Sequence, residues 1–187
     1  IYTGWYTLSL HDSLPISVRA DDPGLDARIP GREGRQPRAI VVDEALRIPR
    51  SAKIFRRRAG ELIVATTRRA PKAMLKFVKE MGHEAIVCRA DKKGRVLVSH
   101  LMKELGKRGV TLAILEGGGE LFAEFFRLGL VDRVVACVAP RFIGGDGLDF
   151  LPGFSARNLN AALALKDVSV KPMGDNIVVE GKIDRKS

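Results

Sequence analysis

Short apolar runs and amphipathic stretches alternate along the first two thirds of this chain. Four runs rich in branched residues predict buried strands, at residues 39–42, 62–66, 84–88 and 112–115. Apolar residues at helical spacing predict helices at residues 71–81, 98–108 and 120–128. Pro71 suits a first helical turn, and Gly82 and Gly109 suit helix ends. Strands that alternate with helices predict an α/β fold with a mainly parallel central sheet.

The pattern changes after Asp132. Further strands are predicted at residues 133–139, 164–170 and 176–183, and the turn Pro172-Met173-Gly174-Asp175 joins the last two. A tight turn between two strands makes them antiparallel neighbours. We therefore expect a mostly parallel central sheet flanked by helices, with antiparallel strands at the C-terminal end.

The segment TLAILEGGGELFAEFF, residues 111–126, carries the clearest functional signal. An apolar run ends at Glu116, the chain turns through Gly117, Gly118 and Gly119, and apolar residues then resume at helical spacing. Glycines let the backbone approach a ligand, and a helix N-terminus directs N–H groups and the positive end of its dipole at an anion. The pattern indicates a phosphate cradle beside a carboxylate, or only a buried strand with a tight turn.

Length and composition agree with one domain. The chain has 187 residues, 45% of them hydrophobic, and no apolar run approaches the ~20 residues of a membrane helix. Cys88 and Cys137 lie in separate apolar runs, which predicts two small buried side chains. The histidines lack metal spacing, and no serine has the flanking glycines of a nucleophile elbow. The sequence argues for a cytoplasmic protein without a metal or hydrolytic chemistry.

The glycine run does not fit G-x-G-x-x-G, and it lacks the lysine of the phosphate-binding P-loop. Instead LEGGGELFAEFFRLGLVDRVVACVAPRFIGG, residues 115–145, resembles the pyrimidine reductases of riboflavin biosynthesis, a family with the dihydrofolate reductase-like fold that uses NADPH. Upstream, ADDPGLDAR (residues 20–28) and PRAIVVDEALRIPRSAKIF (residues 37–55) resemble two earlier segments of that family. Because the matches occur in the family's order over residues 17–183, together they are specific.

The resemblance implies that the ribosyl side chain of an aminopyrimidine ribosylamino 5′-phosphate is reduced to ribityl with hydride from NADPH. Such a site must orient two ligands more than it must supply a strong acid or base. Matching positions assign Asp21 to the cofactor, Leu25 and Arg28 to the substrate, and Glu116 to the substrate's polar groups as the catalytic residue. Two alternatives stay open: Arg28 can be a surface arginine, and Asp21 and Asp22 can be turn formers.

The same resemblance assigns the glycine turn and the start of its helix to the cofactor pyrophosphate, at Gly117, Gly118, Gly119, Glu120 and Leu121. Thr67, Arg68 and Arg69 follow a predicted strand, and their hydroxyl and guanidinium groups could hold the adenosine 2′-phosphate. The alternative is that both arginines are solvated. Farther along, the turn ADKKGR covers residues 90–95.

A formal net charge of +10, from 32 basic and 22 acidic residues, raises the question of nucleic-acid binding. The basic residues concentrate at residues 47–58 and 68–79, several of them on the polar face of a predicted helix, and no aromatic residues are interleaved to stack bases. We therefore expect no nucleic-acid partner. A basic field would instead speed encounter with NADPH and a phosphorylated pyrimidine.

The first residues differ from the rest of the chain. Residues 1–16 contain the sole Trp and both Tyr residues, and YTLSLHDSLPIS resembles translated sequencing-adapter DNA. We expect residues 1–16 to be foreign and residues 17–187 to be a reductase domain without its N-terminal part; a native, divergent strand is the alternative. If the segment is foreign, the sheet would lack a strand and expose unpaired backbone groups, and turnover would be weak.

The sequence leaves three functions open: an NADPH-dependent pyrimidine reductase, a dihydrofolate reductase-like enzyme with another substrate, and a non-catalytic basic binding module. In the family that the chain resembles, the C-terminal strands take part in dimerisation. The resemblance therefore implies a homodimer.

Overall fold

A computed structural model describes the backbone of Tyr6–Leu10 and residues 22, 25, 37–58, 60–116, 118–142, 144, 147 and 149–185. The chain divides into two compact units, residues 1–121 and residues 122–187. Each unit is described by itself below.

The first unit is built on a five-stranded parallel sheet. Its strands are β1 (Tyr6–Leu10), β2 (Arg38–Val42), β3 (Leu62–Thr66), β4 (Glu84–Val87) and β5 (Ala113–Glu116). Its helices are a 3₁₀ turn (Lys53–Arg56), α1 (Lys72–Glu80) and α2 (Val98–Lys107), and α3 (Gly119–Arg127) begins in this unit. The strand order is β4-β3-β2-β1-β5. The predicted strands and helices of this region are confirmed to within about two residues at each end.

Strand β1 lies between β2 and β5. Leu8 is opposite Ile40 of β2 on one side and Leu115 of β5 on the other. The expectation that this position of the sheet would be empty is therefore wrong, because Tyr6–Leu10 pairs along both of its edges.

The core of the first unit lies on both faces of β2 and β3. Ile40 and Ile63 are fully buried, as are Val41 and Val64, whose side chains point to the opposite face of the pleat. Apolar side chains from the loop after β2, the 3₁₀ turn and α1 cover one of these faces. There the Phe55 ring packs edge to face with a second aromatic ring; the ring centroids are 5.1 Å apart, and the angle between the ring planes is 80°. The central strands are thereby fixed as a rigid base for the loops that follow them.

The edge strands are less buried than their apolar sequences suggested. In β4 only Ile86 is buried, and in β5 Ile114 and Glu116 are exposed. Both strands lie at an edge of the five-stranded sheet, where fewer elements can cover them. The prediction of buried strands was therefore wrong for these two.

The second unit contains an antiparallel sheet of β6 (Arg133–Val138), β7 (Leu165–Met173) and β8 (Asn176–Ile183), in the order β6-β8-β7. Strands β7 and β8 are joined through Gly174 and Asp175, and Gly174 has φ 59°, as the first position of a type II′ turn requires. The predicted antiparallel C-terminal strands are confirmed. Cys137 in β6 is exposed, so its predicted burial was wrong, whereas Cys88 is buried as expected.

Candidate functional site

Three polar segments follow the strands of the parallel sheet at the same edge. Glu116 is the last residue of β5, Asp43 follows β2, and Thr67 follows β3. In an open α/β sheet the carboxyl ends of parallel strands form the edge where ligands bind. Glu116 is exposed there, and its Cα is opposite Ser9 of the central strand β1. The structure thus brings the predicted catalytic carboxylate to the expected edge.

The predicted phosphate cradle begins directly after Glu116. Gly118 has φ 79°, a conformation that side chains other than glycine rarely adopt, and α3 starts at the next residue. The Leu121 amide donates to the Gly118 carbonyl at 3.0 Å, and the Leu121 side chain is buried. Leu121 therefore anchors the first turn of α3 in the interior, and the helix start can remain rigid. Gly117 lies outside the described residues.

Glu120, in the first turn of α3, makes a contact that the sequence did not reveal. Its Oε2 accepts a hydrogen bond from Nη1 of Arg95 at 3.0 Å. Arg95 lies in the turn between β4 and α2, where Ala90 and Val96 form an isolated antiparallel bridge. An acidic side chain at a helix N-terminus is stabilised by the helix dipole, but it also brings a negative charge close to any bound anion.

Asp91 holds Arg95 in this turn. Its Oδ1 accepts from the backbone amides of Lys93 (2.8 Å) and Arg95 (2.9 Å), while its Oδ2 accepts from Nε of Arg95 at 2.9 Å. Partial burial by itself would raise the pKa of Asp91, but the hydrogen bonds from Arg95 and Lys93 outweigh it and hold the pKa below its usual value. Asp91 is therefore a carboxylate at neutral pH and keeps the guanidinium in place.

Asp43 shapes the loop after β2 in a similar way. The residue is only 6% exposed, and its carboxylate accepts from the backbone amides of Ala45, Arg47 and Ile48. Burial raises the pKa of Asp43, and the three hydrogen bonds offset only part of that effect. This role carries a local sequence signal, because an aspartate can accept from backbone amides a few residues farther along the chain and so form a side-chain turn.

The loop after β3 is tied to the loop after β2 through Thr67. Its hydroxyl donates to the Glu44 carbonyl at 2.7 Å and accepts from the Arg69 amide at 3.2 Å. Thr67 is buried, so its side chain faces the protein, whereas Arg68 and Arg69 are exposed. The Arg69 guanidinium lies over Gly94, where an added Cβ would come within 3.1 Å of Nη1. Only the two arginines of this group thus present side chains to solvent.

The ADDP segment is described at Asp22 and Leu25 only; Asp21 and Arg28 lie outside the described residues. Asp22 accepts from the Lys53 amide at 2.8 Å, at the start of the 3₁₀ turn. The half-buried Leu25 packs against the core, and its carbonyl accepts from Nη1 of Arg57 at 2.9 Å. Asp22 and Leu25 are thus fixed to the body of the first unit.

The described residues support neither metal chemistry nor catalysis by the Cys88 thiol. There, no group of three or more His, Cys, Asp or Glu side chains could hold a metal ion. Burial raises the pKa of the Cys88 thiol to about 11, with a smaller contribution from the charge of Glu104. A thiol with so high a pKa is protonated at neutral pH and is a poor nucleophile.

A model of the family described as RibD C-terminal domain matches residues 16–179 of this chain. The chain belongs to this family. The curated relatives that carry the name 2,5-diamino-6-ribosylamino-4(3H)-pyrimidinone 5′-phosphate reductase include the following two. The protein of Aquifex aeolicus is 31% identical over 91% of this chain and 74% of its own length. The protein of Archaeoglobus fulgidus is 35% identical over 72% of this chain and 66% of its own length. The predicted membership of the riboflavin-biosynthesis reductases is confirmed.

Among solved structures, Acinetobacter baumannii RibD superimposes with a TM-score of 0.77 at 20% sequence identity. The superposition covers 97% of the present chain and 47% of the Acinetobacter protein. The present chain therefore spans about half the length of that protein. A likeness at this identity establishes the fold, and it confirms the predicted dihydrofolate reductase-like class. Within the part of the chain that the structure describes, no helix is both long and apolar enough to cross a membrane.

Proposed function

We propose that this chain reduces the ribosyl side chain of a diaminopyrimidine or aminopyrimidine ribosylamino 5′-phosphate to ribityl, with NADPH as the reductant. Membership of the RibD C-terminal domain family carries the proposal, since the match covers residues 16–179. The family implies a nicotinamide cofactor. In the reaction the anomeric carbon accepts a hydride, its bond to the ring oxygen breaks, and that oxygen takes up a proton to become a hydroxyl.

The residues at the start of α3 fit a nicotinamide dinucleotide. Gly118 supplies a turn at positive φ, and the first amides of a helix have no partners within the helix. When bound, the cofactor supplies the hydride. Gly117, Gly118, Gly119 and Glu120 contribute the cradle for its pyrophosphate through their backbone, and Asp21 contributes a further contact. Leu121, whose amide donates to the Gly118 carbonyl, holds the turn that shapes this cradle.

On the substrate side, Glu116 accepts hydrogen bonds from the polar groups of the pyrimidine or ribosyl part. Its position supports this assignment, because it is exposed at the carboxyl edge and immediately precedes the glycine turn. The part of the Leu25 side chain that the core leaves uncovered contacts the substrate, and Arg28 makes two parallel hydrogen bonds to the phosphate. The site then requires no nucleophile, because its residues orient two ligands and exclude water.

The preference for NADPH over NADH is assigned to the loop after β3. Arg68 and Arg69 are exposed at the carboxyl edge, as contacts to an adenosine 2′-phosphate require. The Thr67 hydroxyl already donates to Glu44, so we assign Thr67 the role of holding this loop, with any contact to the cofactor made through the remaining lone pair of the hydroxyl.

We further propose a homodimer through the second unit. One face of its antiparallel sheet is apolar on all three strands: Val134, Ala136 and Val138 of β6, Ile177 and Val179 of β8, Val170 and Pro172 of β7. Val138, Val170 and Ile177 are 48%, 62% and 43% exposed. A second copy of the chain would cover such a face, and sedimentation at micromolar concentration would then give the mass of two chains.

The boundary of the family domain is also a proposal. We assign residues 17–187 to the reductase domain and residues 1–16 to a foreign segment. The start of the family match at residue 16 supports this division, whereas the pairing of strand β1 within the sheet fits the alternative of a native strand. The genomic reading frame upstream of Ser17 tests it directly. The cytoplasmic location stays a prediction.

The activity is tested with purified protein, NADPH and the ribosylamino pyrimidine 5′-phosphate, by the loss of NADPH absorbance. Replacing Glu116 by Gln should lower turnover at least about tenfold and leave NADPH affinity within about twofold, because the carboxylate is assigned to the substrate. Glu80→Gln removes an exposed carboxylate at the other end of the first unit's strands, where it pairs with Lys76 at 3.5 Å, and serves as the control. NADPH binding without oxidation by the wild-type chain would favour the alternative of another substrate, and no binding would favour a non-catalytic module.

A further inference from the structure

A chain of three charged side chains connects the β4–α2 turn to the first turn of α3. Asp91 contacts Nε of Arg95 at 2.9 Å, and Nη1 of Arg95 contacts Glu120 at 3.0 Å. The guanidinium lies between two carboxylates, and its side chain is 27% exposed. Glu120 itself is half exposed, so without Arg95 its charge would face the solvent next to the predicted phosphate cradle.

We propose that Arg95 is a positioning residue whose charge offsets that of Glu120, so that an anionic dinucleotide can bind at the start of α3. The inference rests on the proposed function, since it concerns the cofactor cradle. A carboxylate in the first turn of a helix competes with a bound phosphate for the same partial positive charge and repels it directly. The Arg95 guanidinium neutralises part of this repulsion through its contact with Glu120.

The arginine is held in place before any ligand arrives. Its backbone amide and its Nε donate to the two oxygens of Asp91, whose Oδ1 also accepts from the Lys93 amide. Because the planar guanidinium is fixed through Nε, its Nη1 is directed at Glu120 without a further loss of side-chain freedom. A lysine at this position has no planar fork and cannot contact both carboxylates with the same geometry.

Arg108 provides a matched control within the same unit. It also bridges two carboxylates, with Nε 2.7 Å from Glu84 and Nη1 2.8 Å from Glu104, and its side chain is 28% exposed. Glu84 is the first residue of β4, whereas Asp91 follows the last residue of that strand. The two bridges therefore lie at opposite ends of the parallel strands, and only one of them is at the carboxyl edge.

The test measures the dissociation constant for NADPH by calorimetry with the full chain. Arg95→Met should weaken binding about five- to tenfold at low ionic strength, and this loss should shrink to about twofold or less near 1 M salt. Glu120→Gln alone should bind as tightly as the wild type or more tightly, and Arg95→Met combined with Glu120→Gln should return to within about twofold of it. Arg108→Met should bind like the wild type, with a thermal midpoint lowered about as much as that of Arg95→Met.

Four results would overturn the proposal. Unchanged binding in Arg95→Met would show that Arg95 has no role, and equal losses in Glu120→Gln and Arg95→Met without recovery in the double variant would show a tether rather than charge compensation. Loss in Arg95→Met with normal Glu120→Gln but no recovery in the double variant would show that Arg95 binds the phosphate itself. If the wild type does not bind NADPH at all, both the proposed function and this inference are wrong. The other results overturn only the role of Arg95, because in them the wild type still binds NADPH.

Discussion

The loop after β2 depends on one buried carboxylate, and we predict that Asp43→Ala destabilises the protein by about 3 kcal/mol. Asp43 accepts from the amides of Ala45 at 3.2 Å, Arg47 at 2.6 Å and Ile48 at 3.0 Å. The Ile48 amide is buried, so its loss of an acceptor costs about 1–3 kcal/mol. The other two amides are partly buried and can turn to water, which limits their loss to about 0.5–1 kcal/mol each.

Asp43→Asn should cost less than half as much. An amide oxygen can still accept from Arg47 and Ile48, and the Asn side chain carries no charge to bury. The pKa of Asp43 is raised by burial, so the folded chain keeps this proton to a higher pH than the unfolded chain does. The stability that follows from this difference is present below the usual aspartate pKa and is lost as the pH rises through the folded value. Wild type should therefore gain stability relative to Asp43→Asn when the pH is lowered from about 7 to about 4.

Urea unfolding followed by circular dichroism measures these differences as changes in the free energy of unfolding. Asp132→Ala is the control, since that carboxylate is 86% exposed and pairs with Arg185 at 2.8 Å. It should change the free energy by about 0.5 kcal/mol or less. A loss below about 1 kcal/mol for Asp43→Ala, or equal losses for its Ala and Asn variants, would refute the assignment of the carboxylate as the organiser of this loop.

Two further predictions test the cofactor loop and the central strand. Replacing both Arg68 and Arg69 by Ala should narrow the preference for NADPH over NADH, measured as the ratio of kcat/KM values, by ~2 kcal/mol or more. The reason is that hydrogen bonds to charged groups are each worth about 1.5–3 kcal/mol. An unchanged ratio would show that neither arginine contacts the 2′-phosphate. Leu8→Pro should lower the free energy of unfolding by about 3 kcal/mol or prevent folding, because proline removes an N–H from a strand paired on both sides. An unchanged urea midpoint would show that residues 6–10 do not form the central strand.

Element type was predictable where the hydrophobic period is strong. The strand at Leu62–Thr66 and the helix at Lys72–Glu80 follow from an apolar run of branched residues and from a 3.6-residue period, which are local properties. Sheet order is not local. The run at residues 112–115 has the composition of a buried strand, yet β5 is an edge strand in the described sheet and Ile114 is exposed. Cys137 was misplaced for the same reason, since its burial depends on which element covers β6.

The same contrast between local and long-range features applies to the candidate site. Glu116 and Gly118 were predictable because a strand end, a glycine turn and a helix start are consecutive in sequence. The direction of the Thr67 hydroxyl was not, because its acceptor, the Glu44 carbonyl, lies 23 residues away. A threonine after a strand indicates a hydrogen-bonding group, but only the neighbouring loop decides whether it faces a ligand or the protein.

The glycine motif alone does not predict the electrostatics of the candidate site. A net charge of +10 predicts attraction of anions in general, but the first turn of α3 carries the carboxylate of Glu120. Its partner Arg95 is 25 residues away and lies in a segment in which the sequence indicated only a turn. Since electrostatic interactions fall off within about 10 Å at physiological salt, this contact should affect a phosphate bound at α3 more than distant basic residues do. Under the proposed function, the affinity of the cradle for an anion would thus depend on a long-range pair, which neither composition nor the glycine motif could reveal.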